Sequence, residues 1–254
     1  MTIFKKAVFF LLAVCLLFGC SQPQSGAGFR VKRVIDGDTV ELEDGQTVRY
    51  LGIDTPETRR REGDKWIYAT DAYAEEAKEF NRKMVEGKSL RLEFDVQRQD
   101  KYKRLLAYCF VDGEFVNARL LEEGYALLYT SPPNVKYADI LLKMQENARR
   151  NNKGLWAGIS VIAAKDARHY LNKIVTVEGK VSSVYQSPKV TILNFGQSRF
   201  KGVIFKNEFP VFMAQGVSLS GYKGRLVRIT GKVKEYKDAL EIIIRHPSDI
   251  ETVE

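Results

Sequence analysis

The chain has 254 residues, long enough for two domains, and its 40 Lys and Arg against 32 Asp and Glu give a formal charge of +8. Cys15 and Cys20 stand near the start and leave Cys109 alone in the body of the chain, which excludes an intramolecular disulfide and leaves stability to packed cores. The only two histidines, His169 and His246, both fall late in the chain, which excludes a histidine base or a His/Cys metal site in its first half.

Lys5 and Lys6 precede an apolar run from Ala7 to Phe18 that ends Leu17-Phe18-Gly19-Cys20. A charged start, a short apolar stretch and a small residue before the cut describe an export signal rather than a membrane span. The Gly19-Cys20 junction looks like a bacterial lipoprotein cleavage site. Residues 1–19 are therefore expected to be a signal peptide, with Cys20 lipidated and the protein exported and anchored to a membrane of the cell envelope. Residues 20–27 would be a tether, whose coil after Cys20 reaches roughly 15 Å. Loss of residues 1–19 lowers the formal charge to +6. A surplus of that size is a reason to expect attraction to phosphate polymers or anionic surfaces.

Residues 28–158 read as the first domain. A strand over 29–35 leads into Asp36-Gly37-Asp38-Thr39, and a second strand runs to Glu43. Asp44-Gly45 is a strong hairpin signal, because Gly accepts the positive φ such turns require. The chain returns through Val48-Arg49-Tyr50-Leu51 to Asp54-Thr55-Pro56-Glu57. Folding back there brings Asp38 and Asp54 side by side, with Glu57 just beyond and Arg49 on the returning strand. Hard carboxylate oxygens beside an arginine suit a divalent cation together with a phosphate.

Residues 58–69, with the basic run Arg59-Arg60-Arg61, predict a mobile loop beside that site. A helix is expected from about Thr70 to Val85, since Tyr73, Ala77, Phe80 and Met84 share a face. Strands follow around Leu90–Phe94 and Leu106–Val111, then helices near 116–123 and 137–150. Between the two strands stands Asp100-Lys101-Tyr102-Lys103-Arg104.

With that last stretch, the chain resembles the thermonuclease, or staphylococcal nuclease-like, family. The resemblance rests on Ile35-Asp36-Gly37-Asp38-Thr39, Val48-Arg49, Asp54-Thr55-Pro56-Glu57 and Asp100-Lys101-Tyr102 with Arg104, in the family's order and at similar spacing. It implies an OB-type five-stranded barrel packed by helices, a β-rich α+β fold. It also implies a phosphodiesterase of the endonuclease type, with nucleic acid as partner, and assigns Glu57 to orient or deprotonate the attacking water. Lys101 and Tyr102 match the family's nucleotide-binding residues. Of its stacking tyrosines only Tyr129 has a counterpart here, which puts base affinity in doubt rather than the chemistry.

The residue types agree with that expectation. Asp38 and Asp54 can hold Ca²⁺, with the Thr55 carbonyl as a third ligand, and Arg49 and Arg104 can each clamp a phosphate with a planar fork. Two other readings stay open: a domain that binds nucleic acid with little or no catalysis, and an envelope interaction module. The protein is expected to act as a monomer.

After Trp156 the chain changes character. Residues 160–254 predict a short helix over 163–171 and then strands near 175–184, 190–195, 202–205, 225–233 and 240–244. Lys173–Val181 is echoed by Arg225–Val233, each with a glycine near its end. That spacing predicts a second small OB-like β-barrel. Lys180, Lys201, Lys206, Arg225, Arg228, Lys232 and Lys234, interleaved with Tyr185, Phe195, Phe200 and Tyr236, suggest a nucleic-acid-binding face.

Overall fold

In the computed structural model the described residues are 28–62, 65–68 and 71–253. The expected signal, the tether and Cys20 lie outside them. Strand β1 (Phe29–Asp36) buries Val31 and Val34, and β2 (Thr39–Leu42) returns beside it. The turn into β3 (Thr47–Tyr50) is closed by Asp44, whose carboxylate accepts the Gln46 N–H at 2.9 Å, and by Gly45 at φ +83°. β4 (Gly52–Asp54) follows at once.

Residues expected as a loop are instead a hairpin, β5 (Arg59–Glu62) against β6 (Lys65–Tyr68). Its ladder is backbone hydrogen bonding, which a run of charged side chains neither requires nor prevents. Helix α1 (Ala74–Val85) starts four residues later than predicted, because Tyr73 sits at φ +65°, outside helical space. It buries Ala74, Ala77, Asn81 and Val85, spaced three and four apart. Then come β7 (Ser89–Gln99), β8 (Leu105–Val111), β9 (Glu114–Phe115), α2 (Val116–Glu122), β10 (Leu127–Tyr129) and α3 (Ala138–Arg150).

Strand pairing closes a ring. β1 pairs with β2, β2 with β3, β3 in parallel with β8, β8 with β7, and β7 with β1. This five-stranded barrel encloses a core that includes Val40, Val48, Tyr50, Leu90 and Cys109. Cys109 is fully buried, and burial pushes its thiol well up, so it is a small core residue as its strand position predicts. β10 lies outside the ring and pairs with β4, with Leu127 directly across from Asp54.

A second core follows. β11 (Val161–Ala163) and a 3₁₀ helix (Ala164–Tyr170) lead to β12 (Ile174–Lys180), β13 (Ser183–Gln186), β14 (Val190–Asn194) and β15 (Phe200–Phe205). Helix α4 (Phe209–Ala214) precedes β16 (Leu226–Lys232), β17 (Lys234–Tyr236), β18 (Ala239–Ile243) and β19 (Ile250–Thr252). The two echoed segments turn out to be partners, β12 antiparallel to β16 from Ile174↔Lys232 to Lys180↔Leu226. A Cβ at Gly231 would stand 2.5 Å from Ile242 Cγ2, so glycine there lets β16 pass close over the core. Phe195 and Phe200, expected on a binding face, are 5% and 1% exposed and stack edge-on inside this core. Aromatic side chains that large bury where apolar volume is needed.

Candidate active site

Asp38 is held by the turn that joins β1 to β2. Gly37 makes this possible, because a Cβ there would meet Thr55 Oγ1 at 2.8 Å and Ala77 Cβ at 3.0 Å. The Asp36–Thr39 turn can therefore sit directly on the Thr55 segment and on α1. Asp38 is 5% exposed and fully engaged. Its Oδ1 accepts from the Thr39 hydroxyl at 3.0 Å, and its Oδ2 accepts the Thr55 N–H and the Thr55 hydroxyl, each at 2.9 Å. The groups of Thr55 that touch Asp38 are thus its N–H and its side chain.

Arg49 joins the two aspartates. It pairs with Asp38 Oδ2 through one terminal nitrogen and donates from the other to Asp54 Oδ1 at 2.8 Å. Burial works against its charge, but the Asp38 and Asp54 carboxylates more than offset this and hold the guanidinium above its ordinary range. The register explains the meeting: Thr39 lies opposite Arg49 across β2 and β3, and Asp54 ends β4 immediately beyond.

Glu57 is the next carboxyl outward. Burial pushes it up from 4.5 to about 8, and Asp36, Asp38 and Asp54 add to the rise. Asp36 is also raised, chiefly by burial, and so is Asp54, where burial outweighs the pull of Arg49. Four carboxyls crowd one arginine. In this arrangement Glu57 binds its proton more tightly folded than unfolded, so folding stability should fall as pH rises from 4.5 through about 8. Thermal unfolding of the metal-free protein should show that decline, and Glu57→Gln should flatten it. An unchanged pH slope in Glu57→Gln would remove Glu57 as its source.

The main chain of Glu57 is anchored twice by Asp71. The Glu57 N–H donates to Asp71 Oδ2 at 3.2 Å, and the Asp71 N–H donates to the Glu57 carbonyl at 3.0 Å. The same Asp71 carboxylate pairs with Lys232 from β16. Asp36 and Asp71 belong to the surroundings of Glu57 and were missed as site residues, and Lys232, expected on a binding face of the second barrel, joins them. Asp36 stood inside the Asp36–Thr39 motif, whereas nothing local marks Asp71.

The remaining predicted residues form a second group. Arg104 donates to Asp100 through its side chain at 2.7 Å and its backbone N–H at 3.0 Å. The parallel register Arg49↔Leu106 places it just before β8, one strand away from Arg49. Tyr102 is 68% exposed, with Lys101 Nζ 5.0 Å and the Arg104 guanidinium 5.6 Å from its ring centre. Asp38, Arg49, Asp54, Thr55 and Glu57 are thus brought together, and Lys101, Tyr102 and Arg104 form a separate group at the β7–β8 turn, which the β3–β8 register sets next to the Arg49 strand. Tyr129 ends β10, and the Arg245 guanidinium lies 4.1 Å over its ring.

The donor set can be weighed for a cation. Among the described residues no group of three or more His, Cys, Asp or Glu is arranged to hold a metal ion. Asp38 and Asp54 are nevertheless two hard carboxylates converging within a guanidinium's width, in a cluster with surplus negative charge. Two such ligands completed by water and substrate oxygens fit Ca²⁺ better than a soft metal.

The barrel thus carries an arginine between two aspartates, and Asp54 and Glu57 line the cleft beside it. Residues 47–158 match the family described as staphylococcal nuclease homologue. The chain is 37% identical over 134 residues to the thermonuclease of Staphylococcus intermedius, covering 52% of this chain and 77% of that protein. It is 41% identical over 130 residues to the SPbeta prophage-derived endonuclease YokF of Bacillus subtilis, covering 49% of this chain and 42% of that one. It is equally identical over 130 residues to endonuclease YncB of the same organism, at 49% and 59% coverage. The chain belongs to the staphylococcal nuclease homologue family and carries that family's nuclease domain. It spans about half the length of the two Bacillus relatives, and about half of it has no counterpart in these comparisons.

Proposed function

We propose that the protein is an exported, envelope-anchored nuclease that hydrolyses phosphodiester bonds of DNA, RNA or both, with Ca²⁺ held by Asp38 and Asp54. The observation that carries this reading is Arg49 fixed between those aspartates, with Glu57 at the edge of the same cluster. A phosphate entering there would take the guanidinium of Arg49 as a planar partner, and Arg104 would approach from the β7–β8 turn. Bound Ca²⁺ would supply Lewis-acid polarisation of a phosphoryl oxygen. Glu57, once ionised by the positive charge of a loaded site, would accept a proton from the water that attacks phosphorus as the ester P–O bond breaks. Lys101, Tyr102 and Tyr129 would hold the flanking nucleotide.

For residues 160–254 we read an OB-type barrel. In support, β12 and β13 form one bent strand, followed by β14, β15, β18 and then β17 with β16, which returns to β12. Helix α4 lies between β15 and β16 in the chain, and the two separate cores support a division near residue 160.

The full chain should be assayed on single- and double-stranded DNA and RNA, with Ca²⁺ and with a chelator. Cleavage in Ca²⁺ that stops in chelator is expected. Tight binding without turnover would leave a nucleic-acid-binding protein, and full activity in excess chelator would remove the metal.

Anchoring rests on Gly19-Cys20 after the apolar run. Cys20→Ser should release the protein from membranes or leave it unprocessed. One acyl chain binds only marginally, so intact mass should show more than one chain on Cys20. A mature terminus elsewhere without lipid would end this reading.

A further inference from the structure

The site opens into a cleft of about 620 Å³ whose two walls come from different cores. Asp54 and Glu57 line one side. Lys173, Lys232, Lys234 and Arg245 line the other. The last three are not equally engaged. Lys232 is committed to Asp71. The Arg245 guanidinium lies 4.1 Å over the Tyr129 ring and makes a long ion pair with Glu208 at 3.7 Å. Lys234 has no ion-pair or hydrogen-bond partner among the described residues.

The segment carrying Arg245 is built rather than frayed. Asp249 Oδ2 accepts both the Arg245 N–H at 3.1 Å and the His246 N–H at 3.0 Å, and the His246 ring closes a capping box. Contact with the Tyr129 ring holds the guanidinium at this wall, and its ion pair with Glu208 is too long to be a hydrogen bond. Asp54 spends its Oδ1 on Arg49 and acts on Lys234 and Arg245 through space, without a hydrogen bond to either. A fixed guanidinium and an ammonium at one wall of a nucleotide-sized cleft call for an anion that carries its own charge into the site.

We propose that Lys234 and Arg245 form a second phosphate subsite, which holds a backbone phosphate next to the one being cleaved in a single-stranded polynucleotide. This rests on the nuclease reading above and names where its substrate lies. Burial lowers the Lys234 ammonium, Asp54 partly offsets that, and the neighbouring Arg245 and Lys232 add to the fall. The size of the cleft admits one or two nucleotides of a single strand. On this view Tyr129 is not a bare stacking platform: its ring carries the arginine that binds the neighbouring phosphate.

The test uses the full chain with Lys234→Met, Lys234→Glu, and the double variant Lys234→Met/Arg245→Met. Binding of a fluorescent single-stranded oligonucleotide is measured in chelator, across a range of salt. Each lost charge-assisted contact should weaken binding about tenfold. It should also flatten the plot of log affinity against log salt by about 0.7. In Ca²⁺, KM for the oligonucleotide should rise about tenfold more than KM for a nitrophenyl phosphodiester of thymidine, which has one phosphate. Lys234→Glu should weaken binding beyond Lys234→Met, and it keeps the test valid if the double variant fails to fold. Unchanged affinity and salt slope in Lys234→Glu would overturn the subsite while leaving the nuclease reading intact. Weakened binding in a protein that cleaves nothing would keep the subsite and defeat the nuclease reading.

Discussion

Arg49→Ala should lower turnover by about three to five orders of magnitude, the range seen when a single arginine stabilises phosphoryl-transfer charge. The structure separates this from simple unfolding. Arg49 neutralises Asp38 and Asp54, so its removal also leaves two crowded carboxylates unpaired. Arg49→Lys keeps the charge and loses the planar fork, and should recover stability far more than turnover. Single-turnover cleavage of an oligonucleotide, alongside thermal unfolding, reads both effects. Near-wild-type turnover in Arg49→Ala would show that the guanidinium acts elsewhere.

Asp38→Ala should be the most damaging single change to both fold and function. It removes the acceptor for the Thr55 N–H, the Thr55 hydroxyl and the Thr39 hydroxyl, together with one partner of Arg49. Breaking a buried ion pair by deleting one partner costs about 3–5 kcal/mol. It also removes one of two carboxylates proposed for Ca²⁺, so calorimetry should show metal binding weakened or lost. Asp38→Asn retains most of the hydrogen-bonding shape and half the argument: it should fold better than Asp38→Ala yet bind Ca²⁺ no more tightly. Unimpaired Ca²⁺ binding by both variants would place the cation away from Asp38.

The core of the site was legible because it is local. Asp38, Arg49, Asp54 and Glu57 fall within twenty residues around one Asp-Gly turn, and hairpin geometry alone brings the first three together. The barrel strands were legible from alternation, and the echoed segments near 177 and 229 proved to be neighbours. The hairpin over Arg59–Tyr68 was not legible, since consecutive arginines carry no period-two apolar pattern. Phe195 and Phe200 were misplaced because aromatics at strand spacing read alike on either face of a sheet. Lys234 was read only as part of a binding face on the second barrel, and Arg245 was not singled out at all, for another reason. They approach Asp54 only through the packing of two separate cores, and no spacing along the chain encodes that meeting.

The Asp71 carboxylate makes Glu57 mechanically dependent on a strand outside its own barrel. One oxygen of Asp71 receives both the Glu57 peptide and the ammonium of Lys232, which closes β16. A rocking of the second core by an ångström would therefore be felt as a tug on the peptide of Glu57. Displacement on that scale at a reacting group can change a rate about a hundredfold. The junction between the cores is in this sense a lever, and, if Glu57 aims the attacking water as proposed, its stiffness would set how often that water is correctly placed.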